Sequence, residues 1–204
     1  MKALRFHGKG DVRVEEVKKP EIQSATDIII QVTTAAICGS DLHLYGHLVP
    51  TLEKGDILGH EFMGIVVETG KAIHHVKVGD RVVVPFTIAC GLCFFCDREE
   101  WSLCDVTNAG NKKAEKLLGY PTSALFGFSH LYGGVPGGQA EFVRVPYANV
   151  GAFKVPNDIE DEKLLFLGDI FPTGYVAALN CRSEKGDTVA VWGAGPVGQF
   201  AIRS

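Results

Sequence analysis

The 204-residue sequence has no apolar run approaching the ~20 residues that a helical membrane crossing needs. No secretory leader is expected, because Lys2, Arg5, His7 and Lys9 stand where a leader places its apolar core. It also lacks an excess of positive charge: 20 Lys and Arg face 24 Asp and Glu, for a net charge of −4 and a pI near 6.0. Nothing therefore favours nucleic acid or an anionic membrane surface as the partner. Internal repeats, low-complexity tracts and long charge blocks are missing too. What remains is an ordinary globular composition, 46% hydrophobic and 22% charged, long enough for one full core and part of another. The expected compartment is the cytoplasm.

The first ~150 residues are short β-type runs punctuated by Gly and Pro, the pattern of an irregular sheet or barrel rather than a helical bundle. Expected strands include Val12–Val14, Asp27–Thr34, Phe62–Thr69, Asp80–Pro85 and Ala140–Pro146. Glycines at 59, 64, 70 and 79 fall at or near the ends of such runs. Beyond Pro156 the pattern changes, and helices are expected over Asp158–Leu167 and Thr173–Leu179. An apolar strand is expected at Asp187–Trp192, running into a glycine turn and a helix start.

Six cysteines raise the question of disulfide or metal. Cys90, Cys93 and Cys96 are spaced three apart and Cys104 follows closely. In a reducing compartment this spacing reads as a metal loop rather than a disulfide framework. Zn²⁺ is well served by four thiolates in a tetrahedron, which leaves no corner for water and makes such a site structural. The competing reading is four free or redox-active cysteines. Cys38 with His43, and His60 with Glu61 after Gly59, are weak signals when taken singly. Gly193, Gly195 and Gly198 follow the expected strand and open the expected helix, the context in which a Gly-x-Gly-x-x-Gly turn receives a dinucleotide pyrophosphate.

Taken in order, Cys38, the Gly-His-Glu triplet, the four-cysteine loop and the glycine turn resemble the zinc-containing alcohol dehydrogenases of the medium-chain family along the whole chain. The stretches Cys93–Cys104, Leu131–Pro146 and Asp169–Tyr175 look most like the glutathione-independent formaldehyde dehydrogenase-like branch. The resemblance implies a mainly β fold with some α: a GroES-like zinc catalytic domain over residues 1–175, then the start of a Rossmann α/β domain over 176–204. It implies a homo-oligomeric, NAD- or NADP-dependent oxidoreductase acting on an alcohol or aldehyde hydrate, with two zinc ions per chain.

By resemblance, Cys38 and His60 are two ligands of the catalytic zinc. A third ligand precedes Pro172-Thr173-Gly174, where many relatives carry Cys and this sequence has Asp169; Cys181 is the competing candidate. Two cysteines and one histidine are the usual catalytic zinc ligands of alcohol dehydrogenases, and carboxylate oxygen is an equally normal zinc ligand. One thiolate, one carboxylate and one neutral imidazole balance the dication. Such an open, neutral zinc is the better Lewis acid for lowering an alcohol's pKa before hydride transfer.

Ser40 and His43 are the implied proton relay. Asp41 is the implied acceptor for the free ring nitrogen of His60, and Glu61 an occasional metal ligand. For Asp41 and Glu61 the plain alternative is turn capping and surface charge. Thr173 is placed near the nicotinamide by resemblance alone.

The acidic residue that selects a ribose 2′-hydroxyl would come ~20 residues past the glycine turn. The expectation is a C-terminally truncated chain, inactive by itself, whose last ~20 residues are disordered or aggregation-prone unless another chain completes them. Two other functions stay open: a catalytically silent zinc-binding module, and a zinc-free reductase of the same superfamily.

Overall fold

The structure, a computed structural model, describes residues 1–204. A hairpin of β1 (Lys2–Gly8) and β2 (Asp11–Glu16) leads to β3 (Ile28–Ala35), α1 (Gly39–Tyr45), β4 (Phe62–Thr69), β5 (Arg81–Val84) and β6 (Thr87–Ile88). Then follow α2 (Asn111–Leu118), β7 (Ala124–Leu125), β8 (Phe142–Val145), α3 (Ala148–Gly151) and β9 (Phe153–Lys154). The chain closes with three helices, α4 (Asp161–Leu164), α5 (Ile170–Cys181) and α6 (Pro196–Arg203).

A five-stranded antiparallel sheet in the order β8-β3-β4-β5-β9 is the centre of the molecule. Side chains alternate between its faces. Ile28, Ile30, Phe62, Val66, Val82, Val84, Val143 and Val145 share the main core, while Met63 and Val83 face the other way onto Val155, Leu164 and Leu165. Burial of both faces explains why these strands read as continuous apolar runs. Each such side chain contributes ~1.5–3 kcal/mol when fully buried.

Gly64, the third residue of β4, meets a close backbone approach: a Cβ there would collide with the Gln31 carbonyl of β3.

The other face of the sheet is closed by an ionic staple. Asp161 at the start of α4 accepts from Thr33 and Thr34 of β3 and from Arg81 of β5, whose guanidinium also donates to the Pro156 and Ile159 carbonyls. Both charged side chains are less than a fifth exposed. Asp161→Ala strands the guanidinium and two hydroxyls, so a loss of about 2–3 kcal/mol is expected. Urea unfolding checks this; an unchanged midpoint would mean that the staple adds nothing to stability.

Two expectations shift. The helix expected over Asp158–Leu167 is one turn of α-helix that tightens into a 3₁₀ turn at Leu165–Gly168. The strand expected at Asp187–Trp192 does not form: no neighbouring strand within these residues pairs with it, and its side chains are exposed, Trp192 at 93%. An unpaired strand has no partners for its N–H and C=O groups, so pattern alone does not fold it.

The disorder expected for the last ~20 residues is not what Pro196–Arg203 shows. These residues form α6 against α5, with Phe200 edge-on to Phe171 at 5.5 Å. Gly174 makes that approach possible, since a Cβ there would lie 2.7 Å from the Phe200 Cβ.

No helix is long and apolar enough to cross a membrane; the bent pair of α4 with its 3₁₀ turn and α5 passes only by composition, and its Leu164, Leu165 and Ile170 are buried in the core.

Candidate metal centres

Three separated segments meet at one point. Cys38 caps the start of α1, His60 and Glu61 immediately precede β4, and Asp169 caps the start of α5. Backbone bonds set the meeting. Ala36 N–H donates to the Glu61 carbonyl at 3.0 Å, and Phe86 N–H donates to the Gly168 carbonyl at 3.3 Å. One donor atom from each of Cys38, His60, Glu61 and Asp169 lies within 4.8 Å of the others.

His60 Nε2 is 3.3 Å from Asp169 Oδ2 and 3.1 Å from Ser40 Oγ, while Nδ1 is 3.2 Å from Asp41 Oδ1. The last is an ion-pair distance without good hydrogen-bond alignment, so Asp41 Oδ1 and His60 Nδ1 stay buried without hydrogen bonds; Glu61 Oε2 is likewise buried and unpaired. Asp41 has two contacts here. Its Oδ2 accepts from the Cys38 N–H at 2.9 Å, capping the helix, and its Oδ1 faces the imidazole.

Burial disfavours a charge on His60, but the carboxylates of Asp169 and Asp41 outweigh it and push its pKa up to about 12. Burial first, then the charge of Asp169, raises the Glu61 carboxyl. Three carboxyl groups, Asp41, Glu61 and Asp169, and the Cys38 thiol thus gather round the imidazole. A soft, oxygen-tolerant dication suits this donor set.

Cys90, Cys93, Cys96 and Cys104 also converge within 4.8 Å. Their sulfurs are 4.0 Å apart for Cys90–Cys96 and 3.9 Å for Cys93–Cys104. Zinc–sulfur bonds of 2.3 Å at tetrahedral angles place sulfurs ~3.8 Å apart, so the quartet is already spaced for one ion. Cys90 N–H donates to Cys104 Sγ at 3.4 Å and Leu92 N–H to Cys90 Sγ at 3.5 Å. Burial raises the Cys104 thiol, but backbone N–H groups of Cys90, Val106 and Thr107 draw it down to about 7. Burial keeps Cys96 high. All six cysteines are free of disulfides.

Residues 24–157 match the family model described as the alcohol dehydrogenase GroES-like domain. The chain belongs to that family. It is 45% identical over its whole length to a zinc-type alcohol dehydrogenase-like protein of Schizosaccharomyces pombe, covering 48% of it. It is also 37% identical to the glutathione-independent formaldehyde dehydrogenase of Bacillus subtilis, again over its whole length and 52% of that protein. The alcohol dehydrogenase TADH from Thermus sp. ATN1 superposes with a TM-score of 0.87 at 40% identity, over 99% of this chain and 54% of that one. The chain thus spans about half the length of the curated relatives it matches.

Within this alcohol dehydrogenase-type domain, the two candidates for a third ligand are far apart. Asp169 joins the cluster; Cys181 is exposed at the other end of α5, roughly 18 Å away along the helix axis. Ser40 reaches His60, whereas His43 lies on the exposed side of α1. Gly193, Gly195 and Gly198 form the turn that opens α6, with Gly193 at φ +92° and Gly195 as the cap. Gly198 leaves room for the Gly193 carbonyl.

Thr173 lines a cleft of about 300 Å³ together with Cys38, His60 and Asp169. The walls of that cleft were not foreseen. Phe86 and Phe128 stand edge-on to His60 at 6.4 and 6.2 Å, and Leu125, Ile170 and Val197 complete the apolar lining. Gln139, whose Nε2 lies 3.3 Å from Asp41 Oδ2, was also not foreseen. A groove of about 350 Å³ between Lys18–Gln23 and the Val135–Gly137 turn contains neither donor cluster.

Metal uptake at the His60 cluster competes with a proton. In chelated protein the imidazolium persists at neutral pH because its pKa is raised to about 12, and an ion can take Nε2 only after that proton leaves. Zinc affinity there should therefore rise with pH, about tenfold per unit for each proton released. Titration calorimetry in buffers of different ionisation enthalpy checks this; uptake without proton release sinks it.

Proposed function

We propose that this chain carries the zinc centres of an oxidoreductase that transfers a hydride between an alcohol, or an aldehyde hydrate, and NAD or NADP. The observation supporting this most directly is the meeting of Cys38, His60 and Asp169 beside a small apolar cleft. Each chain takes two zinc ions, a catalytic one on these three residues with Glu61 in reach, and a structural one on Cys90, Cys93, Cys96 and Cys104. Zinc bound in the cleft supplies Lewis acidity toward a substrate oxygen.

The remaining roles belong to the chain. Cys38 and Asp169 provide two negative charges, so that with a neutral imidazole the dication is balanced. Asp41, whose Oδ1 faces Nδ1 at 3.2 Å, favours the tautomer of His60 that carries its proton on Nδ1 and leaves Nε2 for the metal. Ser40 receives the substrate proton beside the cluster, and His43 on the exposed side of α1 delivers it to water. Phe86, Leu125 and Phe128 exclude water and restrict the cleft to small primary alcohols or aldehyde hydrates. Gly193, Gly195 and Gly198, at the N-terminus of α6, receive the cofactor pyrophosphate. On this reading residues 1–175 are the catalytic domain and 176–204 begin the nucleotide domain of a cytoplasmic homo-oligomer.

The test is reduction of NAD⁺ or NADP⁺ by the zinc-loaded full-length protein with a panel of short alcohols and hydrated aldehydes. Two zincs per chain and no turnover with any of them would sink the reading. The alternative is a zinc-binding module that holds metal but neither binds nor reduces a dinucleotide.

A further inference from the structure

We propose that Thr173 is a positioning residue that ties down one oxygen of Asp169, so that the carboxylate presents a single donor atom to the metal. The inference rests on the reading of Cys38, His60 and Asp169 as a zinc site. A carboxylate has two equivalent oxygens and can give a cation one or both. Here the protein distinguishes them. Thr173 Oγ1 donates to Asp169 Oδ1 at 3.0 Å, while Oδ2 turns toward His60 Nε2 at 3.3 Å, inside the donor cluster.

The tether is short and local. Asp169 caps α5, Thr173 lies one turn on, and its own N–H donates to the Asp169 carbonyl at 3.0 Å, so backbone and side chain both lock the pair. Thr173 is β-branched, with few side-chain rotamers open to it in a helix. Its hydroxyl proton is committed to Asp169, so toward the cleft Oγ1 can only accept. That suits an N–H donor on whatever ligand lies against it, such as a carboxamide. A cysteine at position 169 would offer a single sulfur and would have no second atom to restrain.

The experiment compares Thr173→Val, which keeps the shape and loses the hydroxyl, with Thr173→Ser, which keeps the hydroxyl. Zinc affinity at each site is read by chelator competition, and the visible spectrum is recorded with Co²⁺ in place of zinc. Removing a group that hydrogen-bonds a ligand typically weakens metal binding 10–100-fold, so about that loss is expected for Thr173→Val at the His60 site. Cobalt absorption should lose intensity as the freed oxygen adds a donor. Thr173→Ser should match the unaltered protein, and the four-cysteine site should hold its metal in both variants.

In an Asp169→Cys background, Thr173→Val should have no effect on affinity, because no second oxygen remains. Unchanged affinity and spectrum in Thr173→Val overturns the inference while leaving the zinc site standing. An equal loss in the Asp169→Cys background also overturns it, reducing Thr173 to a packing role. Uptake of only one metal equivalent by the unaltered protein overturns the zinc-site reading and this inference with it.

Discussion

On the proposed zinc-enzyme reading, replacing Asp169 by alanine in the full-length protein should remove turnover and the metal at the His60 cluster, and leave the four-cysteine metal in place. Asp169 brings its carboxylate to Cys38 and His60 from a different helix, and no other residue of α5 can replace it, since Cys181 is at the far end and exposed. Losing a ligand should cost more than the roughly 10–100-fold that follows loss of a ligand's hydrogen-bonding partner. A secondary effect has a definite sign. The charge of Asp169 helps to raise the Glu61 carboxyl, so its removal lets Glu61 ionise more readily and partly substitute. Asp169→Ala combined with Glu61→Ala should therefore bind zinc at this site more weakly than Asp169→Ala alone. Zinc per chain and kcat/KM are the measurements. Full turnover in Asp169→Ala would place the third ligand elsewhere, and loss of the four-cysteine metal instead would mean the two sites have exchanged roles.

Cys93→Ser should do the opposite, undermining the fold before it touches the chemistry. The lobe it belongs to buries little besides Ala89, Cys96 and Cys104, with Cys90, Cys93 and Val150 packed around them. Apparent binding energies of ~10–16 kcal/mol for structural zinc in small modules exceed what so few apolar contacts can offer. Each kcal/mol lost at this chain length lowers the melting temperature by about 2–4 °C, so a drop on the order of 10 °C or more is expected. Leu92, Phe94 and Trp101 are already exposed on the lobe, which makes aggregation the expected fate of the loosened form. Differential scanning calorimetry with light scattering tests this; a variant that melts like the parent would leave the quartet without a structural role.

These two centres differ in how much of them a reader of the sequence can see. The four-cysteine loop lies within fifteen consecutive residues, so its spacing already carries its geometry. The other cluster draws on positions 38, 60, 61 and 169, and only the order of its motifs along the chain connects them. Asp169 comes forward by resemblance to a family position. Glu61 is likewise named as an occasional ligand by resemblance, and only its folded position puts a carboxylate oxygen within 4.8 Å of the other donors. Phe86, Phe128 and Gln139 give no local signal, because an apolar wall and a lone amide look the same in a sequence wherever they end up.

Strands follow the same logic. β3, β4, β5 and β8 are readable because both sheet faces are buried and the apolar runs are dense. Asp187–Trp192 has an equally convincing pattern and stays unpaired, since a strand needs a neighbour that its own residues cannot specify.

Gly174 has no side chain to offer chemistry, yet it stands in the seam between α5 and α6, where backbone meets the Phe200 Cβ and the Ala201 nitrogen. At that point α5 has no side chain whose rotamers could absorb slippage, so the two helices are geared like meshed teeth. Asp169 hangs from the first turn of one and the Gly193–Gly198 turn opens the other. The tolerance to which one is held is thereby inherited by the other.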